Sequence, residues 1–516
     1  MDLFHNVMLG LSTAFQFNNL LWCVVGVSLG TLIGVIPGVG TLATMSLLFP
    51  VTYVLEPTAA LIMLAGIWYG STYGGSTASI LLNLPGTPAN AVTCLDGYPM
   101  AKQGRAGVAL LMTTVASFYG ATAGILLMML FAPVVADFAF KFGPAEYFAI
   151  MLLGLVAASV VSSGSAIKSI TMVVAGVMLG LVGTDVNSGV ARFDFGFPEL
   201  QDGVQIVALA MGLFGITEII ASINHVKAAD RKVDVSMKSM LPTRDEIKRS
   251  WGPMTRGAGI GSFFGVLPGV GPTVAAFMAY ALEKRTSKTP ERFGRGAIEG
   301  IMAPETANNA SDQASFIPTM TLGIPGSVTM ALIIGALMIH GIQPGPQMLT
   351  EHSDMFWGLV MSFWIGNIVL VILNVPMIGL WVRVLTIPYH ILYPAIVMFI
   401  CIGTYAVNNN VFDVYAVLVF GIGGYVLRVL AFEPAPLLLG YVLGPMLEEN
   451  FRRAMLLSRG SMQMFIDRPI SMWVLLLTVV LLVWGVWSSF RQRSKQSVPV
   501  QEGASPEPTL STQSGS

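Results

Sequence analysis

Apolar runs of about 20 residues, the length a helix needs to cross a bilayer, recur along most of the chain. They fall at 20–48, 57–82, 107–132, 145–162, 167–184, 203–224, 257–281, 298–322, 326–342, 355–378, 385–406, 411–431 and 470–488, with a shorter run at 435–447. The pattern predicts an all-α polytopic membrane protein with about 11–13 membrane-embedded segments, some of which enter without crossing. From Ser494 to Ser516 the apolar period stops and Ser, Pro, Gln and Thr dominate. Such a stretch cannot bury a core and predicts disorder.

Glycine punctuates two of these runs in the same way. Gly26, Gly30, Gly34 and Gly38 stand at every fourth position and are followed by Gly40; Gly257, Gly261, Gly265 and Gly269 repeat this, followed by Gly271. Gly34-Val35-Ile36-Pro37-Gly38-Val39-Gly40 matches Gly265-Val266-Leu267-Pro268-Gly269-Val270-Gly271 at an offset of 231, and Asn83-Leu84-Pro85-Gly86-Thr87 matches Gly323-Ile324-Pro325-Gly326-Ser327 at an offset of 240. This is an internal repeat. Glycine at every fourth position lets helices approach closely. Proline beside glycine does more: it removes a backbone donor and releases the chain from helical angles. The freed groups must then be buried in protein or line a wet cavity. Paired interruptions in two halves point to a transporter's binding site.

Charge supplies orientation. The 226–256 connection holds Lys227, Arg231, Lys232, Lys238, Arg244, Lys248, Arg249 and Arg256, and the 284–295 connection holds Lys284, Arg285, Lys288, Arg292 and Arg295. Both are expected on the cytoplasmic side, with Lys102 and Arg105 and the tail starting Arg491, Arg493, Lys495. Segment 257–281 is then flanked by basic connections on both sides, which predicts a re-entrant hairpin turning at Pro268–Pro272. Segment 20–48 has no Lys or Arg in 1–19 or 49–56 and is expected to enter from the other face. Two inverted repeats, each with a Gly/Pro-broken re-entrant hairpin, follow from this. The organisation reads as a first membrane repeat (1–225), a basic cytoplasmic connection (226–256), a second membrane repeat (257–447), an interfacial segment with a final helix (448–490) and a disordered cytoplasmic tail (491–516). The 448–468 connection resists the scheme: Arg452, Arg453, Arg459 and Arg468 are diluted by Glu448, Glu449 and Asp467, and one span separates it from the basic tail.

Composition agrees. Of 516 residues 54% are hydrophobic and 11% charged, against about 25% charged in soluble domains, and mean hydropathy is +0.72. A net charge of −1 gives no reason to expect nucleic acid. Cys23, Cys94 and Cys401 lie in apolar stretches and suggest neither a disulfide framework nor a metal cluster. Asp2 and His5 open the chain without a basic n-region, so no cleaved signal peptide is expected. Neither a Gly-x-x-x-x-Gly-Lys-Ser/Thr phosphate loop nor a His-Glu-x-x-His zinc pair occurs, which leaves those two chemistries without their motifs.

Two polar clusters interrupt the apolar background. Tyr69 to Ser79 and then Asn83, Pro85, Gly86, Thr87 and Asn90 are rich in hydroxyls, amides and bare backbone; Pro304 to Ser315, then Pro318, Thr319 and Thr321, adds Glu305 and Asp312. Both are expected to be broken regions that supply helix N-termini suited to carboxylates. Candidate substrate-binding residues are Gly38, Gly40, Ser76, Thr77, Asn83, Pro85, Gly86, Thr87, Gly269, Gly271, Thr273, Asn308, Asn309, Pro325, Gly326 and Ser327. A carboxylate among amides suits a hard cation, which makes Asp312, Glu305 and Gln313 candidates for a coupling ion. A membrane-embedded enzyme built on Glu305 and Asp312, or an anion channel, are the competing readings.

The stretches Gly34 to Gly40, Tyr73 to Pro88, Gly265 to Pro272, Pro304-Glu305-Thr306-Ala307-Asn308-Asn309-Ala310 and Leu322-Gly323-Ile324-Pro325-Gly326 resemble the large membrane subunit of the tripartite tricarboxylate transporters, TctA. The resemblance extends over residues 15–490. It implies a bacterial inner-membrane carrier driven by a Na⁺ or H⁺ gradient, with no other cofactor. The implied partners are a small membrane subunit of about four spanning helices, a periplasmic solute-binding protein and a tricarboxylate or related carboxylate substrate.

Overall fold

The computed structural model describes residues 3–36, 40–161, 165–185, 188–222, 237–267, 270–384 and 389–496. The first half begins with α1 (Leu3–Ala14) and α2 (Phe17–Gly34), then resumes as α3 (Gly40–Leu48). Next come α4 (Pro57–Leu82), α5 (Ala91–Lys102), the 34-residue α6 (Ala106–Ala139), α7 (Pro144–Val161) and α8 (Ala166–Gly180). α9 (Ile206–Ala210) continues into α10 (Thr217–Ser222) through a π turn, Met211–Ile216. The second half holds α11 (Arg244–Val266), α12 (Gly271–Thr286), α13 (Glu299–Ala314), α14 (Phe316–Leu322), α15 (Val328–Ile339) and α16 (Ser353–Asn374). It ends with α17 (Ile378–Val384), α18 (Tyr389–Asn408), α19 (Val411–Val429), α20 (Ala435–Leu457), α21 (Met464–Asp467) and α22 (Pro469–Gln496). Among the described residues the only sheet is the pairing of Gly183–Thr184 with Ala191–Arg192.

Among the described residues five helices are long and apolar enough to cross a membrane: α2, α6, α16, α19 and the Pro469–Ser489 part of α22. Shorter apolar helices, α7, α8 and α15 among them, accompany these. The chain is an all-α, multi-pass membrane protein. α4 is different in kind: every residue from Ala59 to Leu81 is buried, so it faces protein on all sides and can carry Gly, Ser and Thr that lipid would not tolerate.

The glycine ladders explain how. Gly26, Gly30 and Gly34 of α2 rest on the carbonyls of Met63, Ile67 and Ser71 in α4. Gly257, Gly261 and Gly265 of α11 rest in the same way on Ala303, Ala307 and Ser311 of α13. At all six positions a Cβ would lie under 3.0 Å from a carbonyl oxygen, so the two backbones touch only because the side chains are absent. The breaks match as well. Gly40 and Gly271 both adopt φ +70°, and Asn83 (φ 57°) and Gly323 (φ 69°) end α4 and α14 in the left-handed conformation. Gly86 then folds back on Gly75 and the Gly34 carbonyl, and Gly326 on Ser315 and the Gly265 carbonyl. Gly38 and Gly269, placed by the sequence at the tips, lie outside the described residues.

One expectation is corrected. Tyr69–Ser79 and Pro304–Ala314 are not broken regions; they are continuous helix within α4 and α13. The hydroxyls do not compete the helix away because they bond back to it: Ser71 and Thr72 donate to the Trp68 carbonyl and Ser79 to that of Gly75, a local pattern that helices accommodate. The run 435–447 is the first part of α20, which continues unbroken to Leu457.

Ion pairs gather the basic connections at one end. Arg105 pairs with Glu246 and Arg249 with Glu299; Gln103 donates to the Arg295 carbonyl at 2.9 Å; Arg256 grips Glu283 through bonds of 2.8 and 2.9 Å. The Arg256–Glu283 clasp joins the two legs of the α11–α12 hairpin about 15 Å, ten residues at 1.5 Å each, from its break. α16, about 33 Å long, leads away from this end. Its Asn374 lies beside Leu110 and Thr113 of α6, while its Trp357 and Gly358 meet Gly10 and Thr13 of α1 at the other extreme. Asn19, at the start of α2, donates to the Thr13 carbonyl at 2.8 Å, so α2 begins at the end opposite the basic connections.

The same bookkeeping places 448–468. Arg452 pairs with Asp185 after α8 (3.1 Å), and Arg468 with Glu146 at the start of α7 (3.0 Å). α22 then runs the length of the α7–α8 hairpin, and Ser489 accepts from the Ala166 N–H at the start of α8 (3.1 Å). The 448–468 connection and the tail therefore lie at opposite ends of that hairpin. α22 is helical to Gln496, beyond the expected boundary at 490; residues 497–516 and 223–236, expected to form most of the tail and part of the basic connection, lie outside the described residues.

Candidate functional site

α13 is buried from Gly300 to Ala314 although that stretch carries two carboxylates and three amides. At 100° per residue its alanines and its polar groups separate onto opposite faces, the polar arc being about 140° wide. Ala303 and Ala307 cluster with Ala275 and Ala279 of α12, against Ile260 and Phe264 of α11. Glu305, Asn308, Asn309, Asp312 and Gln313 occupy the polar arc, which meets α4, α5 and α6.

Glu305 is 1% exposed and fully satisfied. Its Oε1 accepts from Ser76 (2.9 Å), Asn90 Nδ2 (3.2 Å) and the Thr93 hydroxyl, and its Oε2 from Ser117 (3.3 Å). Asn309 Nδ2 donates to Ser117 Oγ (2.9 Å) and Thr87 donates to Asn90 Oδ1 (2.6 Å). The first Pro-Gly-Thr break is thus wired to the second half's carboxylate through one asparagine.

Asp312, also 1% exposed, is satisfied on one side only. Its Oδ2 accepts from Thr72 Oγ1 at 3.0 Å. Among the described residues its Oδ1 has no partner, and neither do Asn308 Oδ1 and Nδ2, Asn309 Oδ1, Ser311 Oγ or Gln313 Oε1. Each such atom costs about 1–3 kcal/mol if nothing meets it. Oxygens outnumber nitrogens five to one, which suits a hard cation better than an anion. Neither carboxylate has a basic partner among the described residues.

The other expected residues divide. Ser76 joins Glu305 directly and Asn309 through Ser117, while Asn308 and Gln313 share the polar arc of α13 with Asp312. Gly86, Pro325 and Gly326 are buried packing elements of the two breaks, and Ser327 caps α15 by accepting from the Met330 N–H (3.4 Å). Asn83 and Pro85 are exposed and Thr273 is half-buried; none of the three reaches the carboxylates. Thr77 lines a crevice with Ser76, Thr113, Thr114, Ser117 and Asn374. Thr93 and Ser117 contribute to the site without having been singled out in the sequence, and Thr72 and Asn90 were read there only as members of the first polar cluster. For Ser117 a signal existed: Thr113, Thr114 and Ser117 fall at helical spacing on one face of an otherwise apolar run.

Residues 20–439 match the model of the family described as "Tripartite tricarboxylate transporter TctA family". The chain belongs to that family. The match contains both glycine ladders, both Pro-Gly breaks and every residue of the carboxylate cluster, so TctA membership identifies the chain as the large subunit of a tripartite transporter, a membrane protein with partner subunits. Two relatives from Agrobacterium vitis agree in extent. One, called "Uncharacterized 52.8 kDa protein in TAR-I ttuC' 3'region", is 48% identical over 503 residues, covering 97% of this chain and all of that protein. Another, "Uncharacterized protein in TAR-II ttuC' 3'region", is 55% identical over 236 residues, 46% of this chain and 98% of its own length.

Proposed function

We propose that this TctA subunit imports tricarboxylates or related carboxylates across a bacterial inner membrane, driven by a cation gradient. A periplasmic binding protein hands over the substrate, and a small membrane subunit of about four spanning helices completes the carrier. The coupling cation, Na⁺ or H⁺, is held at Asp312 with the amide oxygens of Asn308 and Gln313. The observation that carries this is the Oδ1 of a wholly buried Asp312, without a partner among the described residues and on one helix face with amide oxygens that also lack one. An anion beside such a carboxylate is repelled unless a cation lies between them, so substrate and cation bind together. Glu305, with its oxygens already occupied, organises the site and does not take the ion.

The two broken segments are re-entrant hairpins from opposite faces; the second reaches about 15 Å beyond its Arg256–Glu283 clasp, half the hydrocarbon thickness of about 30 Å. The Arg256–Glu283 clasp on the basic face and the start of α2 at the other end support this. Cysteines placed at Asn18 and at Lys284, in a chain lacking Cys23, Cys94 and Cys401, are expected to react with an impermeant reagent from opposite sides. Reaction from one side only contradicts the inverted arrangement.

The function itself is tested with vesicles containing this chain and the small subunit. Radiolabelled citrate and smaller carboxylates are expected to enter only when the binding protein is outside and a Na⁺ or H⁺ gradient points inward. Uptake without either requirement rejects the reading.

A further inference from the structure

Beside the carboxylate cluster lies a crevice lined by Tyr73, Ser76, Thr113, Thr114, Ser117 and Asn374, with Thr77 at its wall. It sits toward the basic end: Thr113 to Ser117 belong to the third and fourth turns of the 34-residue α6, whose start is held there by Arg105 and Glu246. The lining carries no formal charge, and a row of hydroxyls suggests at first a surface that donates hydrogen bonds to a carboxylate.

The hydrogen-bond directions say otherwise. A hydroxyl has one proton to give, and most of these protons are already given. Ser76 and Ser117 donate to Glu305 (2.9 and 3.3 Å), Tyr73 to Asn367 Oδ1 (2.6 Å), Thr113 to the Ala109 and Leu110 carbonyls (3.0 and 2.9 Å) and Thr114 to that of Leu110 (2.9 Å). Asn374 commits one amide hydrogen to the Leu370 carbonyl (2.9 Å) and keeps its Oδ1. Of these lining groups, only Thr77 and the second amide hydrogen of Asn374 remain free to donate. What the crevice presents is lone pairs.

We propose that this crevice is a binding site for a small monovalent cation, separate from Asp312, with Glu305 as its counter-charge one hydroxyl away. Two elements of the geometry support it. Ser76 and Ser117 each touch Glu305 and the crevice at once; each also accepts one amide hydrogen, from Asn90 (3.1 Å) and Asn309 (2.9 Å), which leaves each a single lone pair for the opening, polarised by the carboxylate. Glu305 itself has no basic neighbour among the described residues to balance it. Neutral oxygens around a nearby negative charge suit Na⁺ and repel a carboxylate. The substrate's own donors must then lie elsewhere in the carrier. The proposal rests on the cation-coupled reading above, but its test does not require transport.

The experiment measures cation-induced thermal stabilisation of the purified full-length chain, with choline as the reference ion and NaCl, LiCl and KCl as the probes, and citrate as a separate probe at constant Na⁺. It uses Asp312→Asn, to remove the first site, and the same chain with Thr113→Val and Thr114→Val added. Valine keeps the threonine shape and removes only oxygens whose protons were bound to their own helix. Asp312→Asn is expected to retain a Na⁺-dependent shift, which the two valines weaken at least tenfold in half-saturating Na⁺. An unchanged Na⁺ response in the valine chain overturns the proposal, as does the absence of any cation response in Asp312→Asn. Loss of a citrate response with an intact Na⁺ response overturns it too, and assigns the crevice to substrate. Failure of uptake in vesicles with the Na⁺ shift intact removes the carrier reading and leaves the site.

Discussion

Thr72 in α4 and Asp312 in α13 stand 240 positions apart in matching places of the repeat, and they touch each other at 3.0 Å. Around them the two helix pairs differ. On the same register Ala65, Trp68, Tyr69 and Tyr73 of α4 face Glu305, Asn308, Asn309 and Gln313 of α13 as repeat equivalents. Trp68 and Tyr69 spend their surface on rings: Trp68 meets Phe316 at 5.5 Å, and Tyr69 meets Phe363 at 5.8 Å. The backbone device is shared, since both helices lie on a glycine ladder, while the chemistry is placed on one side only. The breaks differ in the same sense. Gly323 to Ser327 are buried, Gly323 beneath the Pro344 carbonyl and Met446, whereas Asn83, Leu84 and Pro85 are exposed. A duplicated scaffold can thus keep one half as support and let the other carry charge.

If the ladder is the shared device, breaking it must hurt both halves equally. Gly30→Ala and Gly261→Ala each push a methyl group onto a carbonyl oxygen. Each is expected to cost about 2–3 kcal/mol and to lower the amount of folded protein in the membrane severalfold. Gly259→Ala, on the same helix with nothing within 4 Å, is expected to be silent. Abundance and thermal stability read the difference; a silent Gly30→Ala with a damaging Gly261→Ala breaks the symmetry claimed here.

The two carboxylates sharpen the comparison. Glu305→Gln places an NH₂ group among four donors, and a loss of about 2–3 kcal/mol is expected. Asp312→Asn keeps an oxygen to accept the one bond, from Thr72, that Asp312 makes and is expected to cost no more than about 1 kcal/mol. Melting temperatures in the same detergent, without Na⁺, order the two.

The smallest effect belongs to the basic end. Burial pushes the Glu246 carboxyl up, but hydrogen bonds from Arg105 and Thr243 outweigh it and hold it below the ordinary carboxylate value. A depressed value contributes stability above the ordinary pKa, lost as pH falls through and below about 4. Arg105 is 38% exposed, so the contribution is held below about 1 kcal/mol. Glu246→Gln is expected to fall slightly short of the parent's stability at pH 7, and the deficit is expected to shrink as pH falls below about 4.

Much of this was legible in the sequence. Glycine at every fourth position followed by Pro-Gly exposed the repeat, and Asp312 with its amides stood out because charge is rare in an apolar chain. What stayed hidden depends on contacts distant in the chain. Thr93 and Ser117 reach Glu305 across 212 and 188 positions, and no local pattern marks a donor whose acceptor lies in the other half. The dense Ser-Thr-Gly stretch misled for a related reason: it looks like broken helix until the ladder that buries it is paired with it. The side of 448–468 could not be read from charge because Arg452 and Arg468 are spent on Asp185 and Glu146.

The central claim is that the cation binds where Asp312 lacks a partner. Uptake of labelled citrate as a function of Na⁺ concentration and of pH, in vesicles with both partner proteins, tests it most directly. Asp312→Asn is expected to raise the half-saturating Na⁺ or H⁺ concentration tenfold or more, or to abolish the dependence, while citrate half-saturation at saturating cation moves less than threefold. An unchanged cation dependence with a large shift in citrate half-saturation contradicts the account and makes Asp312 part of the substrate's surroundings.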